Sequence, residues 1–258
     1  NTASTSTDNS VLYDVTAPTV TINQAAGQLD PSNTSPINFT VIFSESVTGF
    51  AGADVALTGS AGATTAVVTG SGTTYNVAVS GMTASGTVIA TIPAGNAQDV
   101  AGNGNASSTS TDNSVTFDFT APSVTIDQAA GQNDPTNASP IVFDVLFSKP
   151  VTGFANADVT LSGTAGATTA VVAGSGTTYT VTVTGMTSNG TVIASIPAGA
   201  VTDSVGNTNT DSTSTDNTVT YDTVGPTVTI NQAAAQVDPT GASPINFTVV
   251  FSEPVTGF

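Results

Sequence analysis

Nine residues carry the coordination chemistry this sequence has to offer. Asp14, Asp118 and Asp222 recur at intervals of 104 residues; Asp99 with Asn103 and Asp203 with Asn207 share the pattern Asp-x-x-Gly-Asn; Asp54 and Asp158 form a further pair at the same interval. All nine supply oxygen. A hard cation such as calcium takes six to eight oxygen ligands and needs neither nitrogen nor sulfur. The same pattern has a plain alternative, a turn in which Asp caps backbone N–H groups and Gly takes a positive φ. At the level of sequence the two readings of 99–103 and 203–207 stand side by side.

Other carboxylates read more simply. Asp30, Asp134 and Asp238 each precede Pro and suit Asp-Pro turns, while Asp112 and Asp216, inside Ser-Thr-Ser-Thr-Asp-Asn, suit solvated strand starts. Those Ser/Thr runs are also O-glycosylation candidates, although a soluble β edge accounts for them without modification.

For catalysis the inventory is nearly empty. There is no His and no Cys to act as base or nucleophile, and Ser and Thr have no partner to activate them. Paired carboxylates can hydrolyse glycosides, but there is no Trp to build a sugar platform. Neither an enzyme nor a bound organic cofactor is expected. The 18 acidic residues face a single basic one, for a net charge of −17. Such a chain cannot neutralise phosphates, which excludes nucleic acid and anionic lipid surfaces. The absence of Cys rules out disulfides and Cys-ligated zinc. No apolar run approaches the length of a membrane span, and no leader is visible.

The elements that must position these residues follow from the repeat. Full copies run over 17–120 and 121–224; residues 1–16 match the last strand of a preceding unit, and 225–258 open a further one, so the chain reads as an excerpt of a longer array. Within the second copy, 122–127 suits an edge strand. Ile141, Phe143, Val145 and Phe147 alternate with other residues and mark the core strand, as Ile37, Phe39, Val41 and Phe43 do one copy earlier. Further strands are expected at 158–162, 168–172, 179–183, 191–196 and 218–222, parted by Gly, Ser, Asn and Thr turns. Tyr75 and Tyr179 at strand starts, and Tyr13 and Tyr221 at linker ends, suit caps on the core. The expectation is an all-β fold: tandem Ig-like antiparallel β-sandwiches of about seven strands each, in an extended rod. A β-solenoid would repeat every 20 to 30 residues or so.

Strand counting then pairs the carboxylates. In such a sandwich the loop before the last strand returns to the N-terminal end. That places 203–207 against Asp118 and 99–103 against Asp14, with Asp158 and Asp54 at the same end and Asp222 opening the next such junction.

Several of these segments carry a resemblance. Thr-Ala-Pro at 16–18 and 120–122, the strings FSESVTGF (43–50), FSKPVTGF (147–154) and FSEPVTGF (251–258), and the Asp-x-x-Gly-Asn loops together resemble the bacterial Ig-like repeats of large surface adhesins and biofilm-associated proteins. The resemblance implies an extracellular stalk on the bacterial surface, often stiffened by calcium at domain junctions, that holds an adhesive module away from the cell. Its partners would be the neighbouring repeats and, in a fibre, other copies. An intramolecular isopeptide bond needs a Lys in each domain, whereas the counterparts of Lys149 are Glu45 and Glu253. Lys149 also precedes Pro150, a bond that trypsin-like proteases cut poorly. That is either drift in a Thr-rich composition or an adaptation to survival outside the cell.

Two other functions stay open. The repeats could assemble into a filament through edge strands that no Lys guards, against which a charge of −17 works unless cations bridge it. Alternatively, Thr-rich faces could read sugars or ice.

Overall fold

The computed structural model describes residues 5 and 7–258. It contains two complete sets of six strands and the first pair of a third set. In the first set the strands are β1 Val20–Gln24, β2 Ile37–Val47, β3 Ala56–Thr58, β4 Thr65–Ser80, β5 Gly86–Thr91 and β6 Ser114–Phe117. They form two three-stranded sheets, ordered β1-β2-β4 and β3-β5-β6. All the named strand pairs are antiparallel, with Val20 opposite Phe43, Ile37 opposite Val79, Ala56 opposite Thr91 and Gly86 opposite Phe117.

Alternation along β2 decides where the core lies. Ile37, Phe39, Val41 and Phe43 are all at most 2% exposed and pack against Val77 and Val79 of β4 and Val88 and Ala90 of β5. Each such side chain stabilises the fold by about 1.5–3 kcal/mol relative to exposure. Phe43, Phe50 and Tyr75 close one end of the core as three edge-to-face pairs, with ring centroids 5.2 to 5.8 Å apart. The Tyr75 hydroxyl stays satisfied by donating to the Val47 carbonyl at 3.1 Å.

The second set repeats the first: β7 Val124–Gln128, β8 Ile141–Val151, β9 Thr160–Ser162, β10 Thr169–Thr184, β11 Gly190–Ser195 and β12 Thr218–Tyr221, in sheets β7-β8-β10 and β9-β11-β12. β13 Val228–Gln232 and β14 Phe247–Phe251 then pair as β1 and β2 do, Val228 opposite Phe251. The chain divides into two compact units: 1–122 with 149–152 and 201–210, and 123–148 with 153–200 and 211–258.

Three expectations are corrected. The strands expected at 168–172 and 179–183 are one assigned strand, β10, like β4 before it. Each runs through a Gly-Ser-Gly turn: Gly70 and Gly72 have φ of +116° and +71°, and a Cβ on Gly70 would lie 2.5 Å from the Thr74 carbonyl oxygen, which only Gly avoids. Asp158 does not begin a strand but closes a short 3-10 turn, Asn156–Asp158, as Asp54 closes Gly52–Asp54. Their carboxylates accept the Ala155 and Ala51 N–H groups at 2.8 and 2.7 Å, a turn-forming bond that an extended backbone does not offer. Finally, residues 7–16 form no strand; residues 1–4 and 6 of that expected strand lie outside the described residues. Its counterparts β6 and β12 are held by pairing with β5 and β11.

The long loop before the last strand is more than a connection. Residues 106–112 run alongside β1, with Ala106 N donating to Pro18 O, Thr109 N to Val20 O, Ile22 N to Thr109 O and Gln24 N to Asp112 O, at 2.6 to 3.3 Å. Residues 213–216 cover β7 in the same way, Thr213 N to Val124 O and Gln128 N to Asp216 O. Asn23 and Asp127 pin these segments: Asn23 Oδ1 accepts the Thr111 and Asp112 N–H groups at 3.0 Å each, and Asp127 Oδ1 accepts those of Thr215 and Asp216 at 2.8 and 3.0 Å. The β1 and β7 edges are therefore taken by the protein's own backbone.

Asn105, 2% exposed, anchors the start of the loop by accepting the Ala97 N–H at 2.8 Å and donating to Pro93 O and Ala106 O. Asn105→Ala orphans the buried Ala97 N–H and is expected to cost roughly 1–3 kcal/mol. Urea unfolding of the variant checks this, with faster amide exchange at Ala97 as the local signature.

Candidate functional site

The site begins with the long loop's first turn. Asp99 N donates to Asn103 O at 3.1 Å, and Gly102 takes φ of +91°, so the chain doubles back within five residues. The turn aims two donors at one carboxylate: Asn103 N reaches Asp99 Oδ1 and Asn103 Nδ2 reaches Asp99 Oδ2, both at 2.8 Å. Asp203 repeats the arrangement with Asn207 N at 2.9 Å, Asn207 Nδ2 at 3.0 Å and Val205 N at 3.0 Å, around Gly206 at φ +91°. The turn reading of Asp-x-x-Gly-Asn is therefore realised. It does not exhaust the carboxylates, which are 3% and 5% exposed and keep oxygen lone pairs to spare.

The same asparagines fetch the second carboxylate. Asn103 Nδ2 also donates to Asp14 O at 3.2 Å, and Asn207 Nδ2 to Asp118 O at 3.0 Å, which draws the linker against the loop. Asp14 and Asp118 in turn hold the linker's shape by accepting the Thr16 and Thr120 N–H groups at 2.9 and 3.0 Å.

A third group completes each cluster, and it comes from the residue near the end of β2 or β8. Asp14, Glu45 and Asp99 place a carboxylate oxygen each within 4.8 Å of one another. In the next copy position 149 is Lys, and its ammonium bridges Asp118 Oδ2 at 2.9 Å and Asp203 Oδ2 at 3.0 Å while donating to Thr120 O at 2.6 Å. All these residues belong to the first unit.

The electrostatics follow the geometry. Burial pushes the Asp203 carboxyl up, but the Asn207 and Lys149 hydrogen bonds and the Asn207 and Val205 N–H groups outweigh it and hold it down at about 2. Asp99 is lowered against burial by Asn103 and the backbone N–H groups of its turn. Asp118 is lowered against burial by Lys149, Thr120 and Ser85, and Lys149 is raised against burial by Asp118 and Asp203.

The remaining predicted ligands lie elsewhere or are differently engaged. Asp54 and Asp158 are bonded to their own turns and do not join a cluster among the described residues. Asp222 accepts the Val224 N–H at 3.0 Å and an Asn189 amide bond, and lines a surface hollow of the second unit with Glu253. Asp30 and Asp134 accept the N–H groups of Thr116 in β6 and Thr220 in β12, each 86 residues away, a long-range bond rather than one within the Asp-Pro turn expected of them. Sequence reasoning missed Glu45 and Lys149 as members of the clusters. The signal was a single charge reversal, Glu45, Lys149 and Glu253, inside an otherwise near-constant eight-residue string.

A family model described as bacterial Ig-like domain matches residues 14–117 and 118–221. The chain belongs to this family. Its copies begin at Asp14 and Asp118 themselves, so each cluster, Asp14–Glu45–Asp99 and Asp118–Lys149–Asp203, falls within one bacterial Ig-like domain. No curated protein matches the chain. Bacterial Ig-like domains are structural, non-catalytic modules typical of surface proteins. No described helix is long and apolar enough to cross a membrane.

The lowered Asp203 fixes the sign of a pH effect. A carboxyl held below its ordinary 3.8 contributes stability that is complete above that value and is lost as the pH falls toward about 2. Thermal melts should therefore show the melting temperature dropping between about pH 4 and pH 2, and less steeply in Asp203→Asn, which starts from a lower value at neutral pH.

Proposed function

We propose that this chain is part of the stalk of an extracellular bacterial adhesin or surface fibre, in which Asp14, Glu45 and Asp99 hold a calcium ion that ties the linker to the long loop. The observation that carries the metal is the cluster of three carboxylates within 4.8 Å, one of them buried and already ionised by its own turn. The donor set fits: it is all oxygen, it is negative, and calcium tolerates irregular shells completed by water. Bound there, the ion would supply positive charge between carboxylates that otherwise repel. The rest is this chain's own work: Asn103 orients Asp99 and holds Asp14 O, and Thr16 N fixes the Asp14 side chain.

Family membership and the absence of catalytic groups support the stalk. Filament formation through edge strands loses its clearest opening, because 106–112 and 213–216 already pair with β1 and β7. Threonine-rich faces remain the only feature that favours a sugar or ice ligand.

Differential scanning calorimetry with calcium and with chelator tests the metal. Calcium is expected to raise the melting temperature by several degrees, and Glu45→Gln to remove most of that gain without unfolding the chain. An unchanged melt sinks the calcium reading. Sedimentation velocity in calcium tests the stalk against the filament: the chain should stay monomeric, and concentration-dependent association would favour the filament.

A further inference from the structure

Two clusters of one chain share their backbone and differ in one group. Asp99 and Asp203 sit in turns of the same geometry, and Asn103 and Asn207 each donate to the linker carbonyl of Asp14 or Asp118. Where the first copy has the Glu45 carboxylate, the second has the Lys149 ammonium. The formal charge of the three groups changes from −3 to −1 accordingly. The ammonium donates to three oxygens, Asp118 Oδ2, Asp203 Oδ2 and Thr120 O, which are a carboxylate and a carbonyl of the linker and the carboxylate of the loop. A Lys has three N–H donors and all three are used. What a metal ion does for an acidic cluster, neutralising it and joining linker to loop, is done here by a side chain.

We propose that Lys149 is a built-in cation: it replaces in covalent form the ion that the Asp14–Glu45–Asp99 cluster takes from solution, so that two successive domains of this chain differ in their need for calcium. This rests on the calcium reading above for the first cluster, but its own observation is the ammonium seated between Asp118 and Asp203. The position tolerates either sign. Glu253-Pro254 occupies the same place in the third copy, so a Glu before Pro at position 149 introduces nothing the array does not already contain. An array can then set, by one residue per domain, which of its linkers loosen when calcium is scarce.

An amide bond between Lys149 and Asp118 is the competing use of this contact, and intact mass distinguishes it by the loss of one water. The ionisation of the groups opposes it. Asp118 and Asp203 are both held in the charged form and Lys149 in its protonated form, which is not nucleophilic.

The test counts calcium ions bound per chain by equilibrium dialysis at physiological ionic strength, where diffuse counterions are screened, with melts recorded on the same samples. The whole chain is expected to bind one ion, Lys149→Glu two, Glu45→Lys none, and the double exchange one. Lys149→Met should melt lower than the parent and gain no site, which separates loss of the bridge from creation of a metal site. If Lys149→Glu, shown to be folded by its melt, gains no calcium, the inference is overturned, while a single parental site abolished by Glu45→Lys leaves the calcium reading of the first cluster standing. If the parent binds none and Lys149→Glu binds one, the lysine substitutes for an ion at its own cluster, but the calcium reading of the first cluster falls and with it the difference in calcium need between the two domains.

Discussion

Burying a carboxylate at the head of the long loop is the constraint from which the rest of this architecture follows. A buried charge is tolerated only when it is hydrogen-bonded and paired, and Asp99 and Asp203 meet the first condition by wrapping the chain around themselves in an Asp-x-x-Gly-Asn turn. That turn sets the path of everything after it. Asn105 continues it as a buried plug, and residues 106–112 leave along the edge of β1. The same asparagine that holds the carboxylate also grips the linker. The second condition, a positive charge, is met at Asp203 by Lys149, whereas the matching position beside Asp99 carries a further carboxylate, Glu45.

This arrangement reconciles two properties that usually conflict. A Thr-rich, Lys-poor sandwich presents sheet edges without the charged residues that normally discourage pairing with other chains. Here the edges at β1 and β7 are covered by the protein's own loop, pinned through Asn23 and Asp127, so protection comes from backbone hydrogen bonds rather than from charge. Acidic groups are thereby freed for the linkers. In repeat arrays stability is approximately a sum over units and their connections, and in this chain each charged cluster lies inside a domain, where its opening residue, Asp14 or Asp118, meets the long loop, while the core is filled with plain Val, Ile and Phe.

The same division separates what was legible from what was not. Period-2 alternation located β2 and β8 and their inward residues, because burial on one face leaves a mark on every second position. The 104-residue period and the Gly-rich turns gave the sandwich class, and counting strands was enough to bring Asp14 to the Asp99 loop and Asp118 to the Asp203 loop. Local hydrogen bonding defeated other expectations: Asp158 looked like the start of a strand and is instead a turn cap, since its partner, the Ala155 N–H, is chosen by backbone conformation rather than by pattern.

By itself, then, the amino-acid order determined the repeat, the all-β class and the core faces, all of which depend on composition or on periodicity along the chain. Only the tertiary structure decided that the loop of 106–112 closes an edge, and that the end of β2 or β8 delivers a Glu to one carboxylate pair and a Lys to the other. Those contacts join residues 29 to 89 positions apart, and a single side chain in an extended strand carries no periodic signal of what it will meet across such a distance.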